Sequence, residues 1–185
     1  MFDWLASPPT FCRHAPRAAV SRRTRLITPR ALIEMLPGLG SVLYFHAAAN
    51  RAFPPALPQG LVVQRAFLPL LGAHKLTSIS AVTDDGPREW CECVDALGRT
   101  QARWHLLPDT DYLGWDAMTA SCVAHIAPPV ETEPFRPDCA SVVNFRLRRV
   151  GGLALLERRD ATVLSSLGSR IATSIARAEA LMLQA

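Results

Sequence analysis

The side chains with the most chemistry to offer are five histidines, His14, His46, His74, His105 and His125. His46 is the informative one. It ends the apolar, aromatic run Val42-Leu43-Tyr44-Phe45-His46, where an imidazole needs either a hydrogen-bond partner or a ligand. Sequence leaves both open. His74, in Leu71-Gly72-Ala73-His74-Lys75, belongs to a turn, His105 shares a polar strand face with Arg103, and His125 ends a helix, where an imidazole favours the dipole. Asp109 and Asp111 are spaced like paired carboxylates, but capping a helix explains both. No G-x-S-x-G, G-x-x-x-x-G-K-[ST], G-x-G-x-x-G or H-E-x-x-H occurs, so hydrolase, nucleotide and zinc-protease readings have nothing to stand on. Five cysteines with no C-x-x-C exclude a disulfide framework and a zinc finger; Cys91 and Cys93 read as small buried side chains on one side of a strand.

The elements that must position these residues follow from periodicity and punctuation. Residues 1–27 show no sustained period and carry three prolines among arginines, which predicts an extended or mobile arm. Thr28 caps and Pro29 opens a short helix that stops at Pro37-Gly38. A strand follows over 41–47, with Val42, Tyr44 and His46 on one face and Leu43 and Phe45 on the other. The Pro-rich segment 53–60 is a loop, strands are predicted over 61–67 and 76–82, and Asp84-Asp85-Gly86-Pro87 is a turn. Strands over 89–94 and 99–107 flank Asp95-Ala96-Leu97-Gly98, a type I turn closed by a bulge. Ala102, Trp104 and Leu106 would face the core, and Gln101, Arg103 and His105 the polar side. Acids at 109 and 111 open a helix lined by Tyr112, Trp115, Met118 and Cys122. Beyond a stiff Pro-rich linker, 127–139, a hairpin turns at Gly151-Gly152, and Asp160 caps a long helix with the stripe Leu164, Leu167, Ile171, Ile175, Ala178 and Met182.

Hairpins without strand–helix alternation predict an α+β fold of antiparallel sheets with flanking helices. The organisation is an arm (1–27), a core (28–126), the linker (127–139), and a C-terminal hairpin and amphipathic helix (140–185) that complete the same domain. At 185 residues and 49% apolar composition, one folded domain is expected and disorder of the whole chain is excluded. The net charge of +4 is local, because residues 1–30 hold six arginines against one acid while the rest is near neutral. A nucleic-acid reading built on a basic face is weakened accordingly. The longest uncharged run, 35–50, is short and broken by Pro37, Gly38 and Gly40, so no membrane insertion is expected. Asp3, Pro8, Pro9 and Arg13 spoil a secretory leader, which points to the cytoplasm.

Three segments in order carry a family resemblance. Gly40-Ser41-Val42-Leu43-Tyr44-Phe45-His46-Ala47-Ala48, then Phe53-Pro54-Pro55-Ala56-Leu57-Pro58-Gln59-Gly60, then Cys93-Val94-Asp95-Ala96-Leu97-Gly98-Arg99 running through Trp104-His105-Leu106-Leu107-Pro108-Asp109-Thr110-Asp111 into a helix, resemble the ChuX/HutX proteins of bacterial haem utilisation. They are similar also to one repeat of the related HemS-type haemin proteins. The resemblance covers about residues 30–125, and it implies an α+β fold, often dimeric, that binds haem without covalent attachment after import and passes it on or releases it for breakdown. It places the family's strand-end, haem-binding histidine on His46. A second family histidine falls near Ile79 or Ser80, and the nearest histidine here is His74.

Haem is a flat apolar disc with two propionates, so a reversible carrier needs apolar walls, a neutral imidazole for iron and cations at the rim. By that chemistry Tyr44, Phe45, Leu43 and Trp104 are candidate walls and Arg65 or Arg103 the rim, with His46, the resemblance's ligand, on the iron and His74 the nearest candidate for a second histidine. No C-x-x-C-H is present for covalent attachment. The expected function is a cytoplasmic haem-trafficking protein, a homodimer that hands haem to an accepting or degrading protein. Two alternatives stand beside it: an enzyme that opens the porphyrin ring, and a protein- or nucleic-acid-binding module using the arginine arm and the C-terminal helix.

Overall fold

The computed structural model describes residues 20–47, 59–83, 86–124, 134–159 and 163–184. His14, His125, the Pro-rich loop over 53–58, Asp84, Asp85, Asp160 and most of the predicted linker lie outside the described residues. Elements run β1 (Val20–Leu26), α1 (Pro29–Met35), β2 (Ser41–His46), β3 (Leu61–Val63), β4 (Lys75–Thr83), β5 (Gly86–Val94) and β6 (Thr100–His105), then α2 (Tyr112–Thr119), β7 (Val123–Ala124), β8 (Cys139–Val150), β9 (Leu153–Arg158), α3 (Ser166–Ala178) and β10 (Leu183–Gln184). The fold is α+β: one sheet in the order β3-β9-β8-β2-β6-β5-β4-β1-β7, with β10 against β8. All pairings are antiparallel except two short ones, β3 with β9 and β10 with β8.

Local signals place these elements. The Thr28 hydroxyl accepts from Ala31 N at 3.2 Å and Pro29 fills the first turn of α1. Asp111 Oδ1 accepts from Gly114 N at 2.9 Å to cap α2. Asp109 acts elsewhere: its carboxylate accepts Ser165 N at 2.8 Å and the Ser165 hydroxyl at 2.9 Å, fixing the start of α3. Ser165, not Asp160, is the N-cap of that helix, accepting from Gly168 N. Two carboxylates two residues apart thereby begin two different helices.

Both faces of the sheet are covered around β2, β6 and β8. On one, α1, the 3₁₀ turn Leu36–Leu39, α2 and the 3₁₀ segment Arg65–Gly72 bury Leu32, Ile33, Tyr44, Phe67, Trp104 and Trp115. On the other, α3 packs Ala172, Ile175 and Ala176 onto Leu43, Phe45, Leu107 and Ala140. The C-terminal stripe therefore covers its own sheet, although Leu167 and Met182, also counted in it, are exposed.

Three expectations are corrected. Residues 20–26, assigned to the arm, are strand β1, paired along its whole length with β4; its side chains are mostly exposed, so no apolar alternation marks it. The strand predicted over 61–67 stops at Val63, and the apolar run continues as a 3₁₀ segment holding Pro69, which cannot donate to a ladder. The supposed polar face of β6 is interior: His105 is only 6% exposed, because α3 and its end close over that side.

Candidate functional site

His46 sits at the end of β2, half-buried, on the same face as Val42 and Tyr44. Its ring lies 5.5 Å from the Tyr44 ring at 32°. His46 Nδ1 is 3.1 Å from Ala47 O. A carbonyl only accepts, so Nδ1 is the donor and Nε2 is the nitrogen left to accept or ligate. This is the arrangement of metal-binding imidazoles, whose second nitrogen donates to a carbonyl or carboxylate that fixes tautomer and orientation.

Behind His46 lies a closed aromatic cluster. Tyr44 is fully buried, edge-on to Phe67 at 5.6 Å and to Phe145 at 5.8 Å, and its hydroxyl donates to Ala66 O at 3.2 Å. Burial, then the Cys93 thiol, raises the Tyr44 phenol well above its usual pKa, so it remains the donor. Trp104, opposite Tyr44 on β6, is also fully buried, and its indole N–H meets no partner among the described residues. Tyr44 therefore backs the imidazole, and neither it nor Trp104 exposes surface as a wall. Leu43 and Phe45 are equally buried but point to the opposite face, under α3.

The cations divide. Arg65 is exposed and opens the 3₁₀ segment next to Ala66, the residue tied to the Tyr44 hydroxyl, so it belongs to the His46 side. Arg103 pairs with Phe45 in the β2–β6 register and lies on the far face. There it joins Glu92 of β5 at 3.1 Å to Glu179 at the end of α3 at 2.7 Å, over the rings of Trp90 and Phe135. His74 is exposed, but β6 and β5 separate its end of β4 from His46, about 14 Å at ~4.8 Å per strand. Of the residues expected to act together, the fold brings His46, Tyr44 and Arg65 to one side and takes Phe45, Arg103 and His74 elsewhere.

The histidine expected on a polar face, His105, is the unusual one. It is wedged between Trp90 at 5.6 Å and Phe45 at 5.4 Å, with both ring nitrogens unpartnered among the described residues. Burial first, then the charges of Arg103 and Arg88, push its pKa down to about 3, so the ring stays neutral. The thiols of Cys91, Cys93 and Cys122 are buried and pushed up, Cys93 to about 12 by burial and then Asp95. Cys139 differs: it is half-buried, and its place in the register pairs it directly with His46. Sequence reading passed over it, because only strand register joins positions so far apart.

Of the other hypothesised surface, residues 1–19 lie outside the described residues, and two described parts make contacts within the fold. Arg25 of β1 donates to the Ser121 hydroxyl at 2.7 Å, and the apolar side of α3 packs on the sheet. Among the described residues no helix is long and apolar enough to cross a membrane.

No protein-family model matches the chain, and no curated protein matches it. Among solved structures it is similar to the heme-degrading enzyme ChuS of Escherichia coli O157:H7, at 13% identity and a TM-score of 0.41 over 62% of this chain and 38% of that one. It is similar also to ChuS described as an E. coli heme oxygenase, at 14% identity and a TM-score of 0.39 over 63% of this chain and 39% of that one. The chain spans less than half the length of these structures, and the likeness is partial.

Proposed function

We propose that this chain binds haem non-covalently as a carrier, with His46 as the iron ligand. The observation that supports the reading is the imidazole itself: half-buried at a strand end, its Nδ1 held by Ala47 O, its Nε2 left to ligate a metal. Porphyrin iron would supply the Lewis-acid centre. Around it, the tilted Tyr44 ring packs beside the imidazole, and Arg65 offers a cation for a propionate from the same side. In sequence, the order of motifs around Tyr44-Phe45-His46 and Asp95-Ala96-Leu97-Gly98 supports the same ligand. A carrier in the cytoplasm that hands haem to a second protein completes the reading.

The test is a haemin titration of the full chain. A saturable Soret shift is expected; once the haem is reduced His46→Ala weakens its binding at least tenfold, while His74→Ala leaves it in place. A wild-type spectrum identical to free haemin overturns the proposal. Added reductant distinguishes a carrier, whose Soret band persists, from a ring-opening enzyme, whose band is lost as iron is released.

A further inference from the structure

We propose that Cys139 is a second iron donor at the His46 site, competing with the imidazole for one axial position. This rests on the haem reading and adds to it the donor set. His46 and Cys139 are directly opposed across β2 and β8. Opposed residues of an antiparallel pair project from the same face, with Cβ atoms about 5 Å apart. The two donors thus approach from one side of a porphyrin and cannot grip its iron from both. Either one binds or the other does.

Among the described residues, accessibility singles this thiol out. Cys91, Cys93 and Cys122 are buried in the core, whereas Cys139 is only half-buried, beside an imidazole that is itself half-buried. The sulfur is also supported from outside: β10 runs parallel along β8, and Gln184 Nε2 donates to Cys139 Sγ at 3.5 Å. Hydrogen bonds to sulfur are the contacts by which proteins tune metal-bound thiolates. In the exchange, the thiol gives its proton to water, the iron–sulfur bond forms, the bond from iron to Nε2 breaks, and no electron moves. The anionic thiolate suits ferric iron, and the neutral imidazole suits ferrous iron.

The experiment compares absorption and electron paramagnetic resonance spectra of haem-loaded wild type, Cys139→Ser and His46→Ala. Ferric wild type is expected to show a sulfur-to-iron charge-transfer band that Cys139→Ser lacks and His46→Ala keeps. Haem loading should likewise protect Cys139 from alkylation, as mapped by peptide mass spectrometry. If wild type and Cys139→Ser bind haem with the same ferric spectrum, and haem leaves Cys139 alkylation unchanged, the thiolate assignment falls while haem binding stands. If wild type gives no Soret shift at all, the haem reading falls and takes this one with it.

Discussion

Arg103 and Glu179 meet at 2.7 Å where the end of α3 comes down on the sheet, and the same guanidinium holds Glu92 of β5 at 3.1 Å. The two carboxylates are unequal: the Glu92 side chain is 8% exposed and that of Glu179 is 31%. Removing the cation strands a buried carboxylate, whereas removing Glu179 leaves Arg103 still paired. Arg103→Ala should therefore cost about 3 kcal/mol of unfolding free energy and Glu179→Ala about 1 kcal/mol or less. Urea denaturation of both variants checks the asymmetry; equal losses would remove Arg103 as the clasp between α3 and β5.

Beside this clasp, His105 makes the fold acid-sensitive. Its folded pKa of about 3 lies below the ordinary value near 6.5, so the unfolded chain binds the extra proton first. Above pH ~6.5 this proton uptake costs the fold nothing, and as pH falls toward ~3 stability is lost at about 1.4 kcal/mol per pH unit. His105→Leu, similar in volume, removes two unpartnered nitrogens and should raise stability at neutral pH by about 1–3 kcal/mol. It should also flatten the profile between pH 6.5 and 3; a slope equal to that of wild type would place the acid sensitivity elsewhere.

Gly114 lies inside α2, where helix propensity alone promises about 1 kcal/mol in favour of alanine. Close packing reverses the sign. A Cβ at this position would collide with the Gly38 carbonyl, which is backbone and cannot rotate away. Gly114→Ala is expected to lower the melting temperature, at a cost of about 1–3 kcal/mol. An unchanged or higher melting temperature would mean that α2 and the Leu36–Leu39 turn can separate freely.

One carboxylate organises the β5–β6 turn. Asp95 Oδ1 accepts from Leu97 N and Arg99 N at 2.9 Å, while Oδ2 takes Arg99 Nε and Gln101 Nε2 at 2.8 Å. Gly98 completes the turn at φ 80°. Asp95→Ala leaves the two backbone donors without partners and should cost about 2–3 kcal/mol. Asp95→Asn keeps one acceptor oxygen and should recover part of that loss in thermal denaturation.

This turn was legible in the sequence because Asp95 and Gly98 are local instructions, and so were the caps at Thr28 and Asp111. The faces of β2 were legible too: Val42, Tyr44 and His46 do share one side. Strand β1 was not, since an arginine-rich strand with exposed side chains shows no period, and its partner β4 lies about fifty positions away. His105 looked polar because alternation tells which residues share a face but not whether another element covers it. The His46–Cys139 pairing was hidden for a stronger reason. It exists only through register, and a one-residue slip of β8 would send the thiol to the other face.

The placement of β2 has a consequence for how the polypeptide reaches its native state. This strand lies between β6 and β8, and Ser41 pairs with Asn144, more than half the chain's length later. During synthesis its apolar side chains must wait for partners that have not yet left the ribosome. Such high contact order predicts slow folding with a sticky strand on display, and so dependence on chaperones during expression.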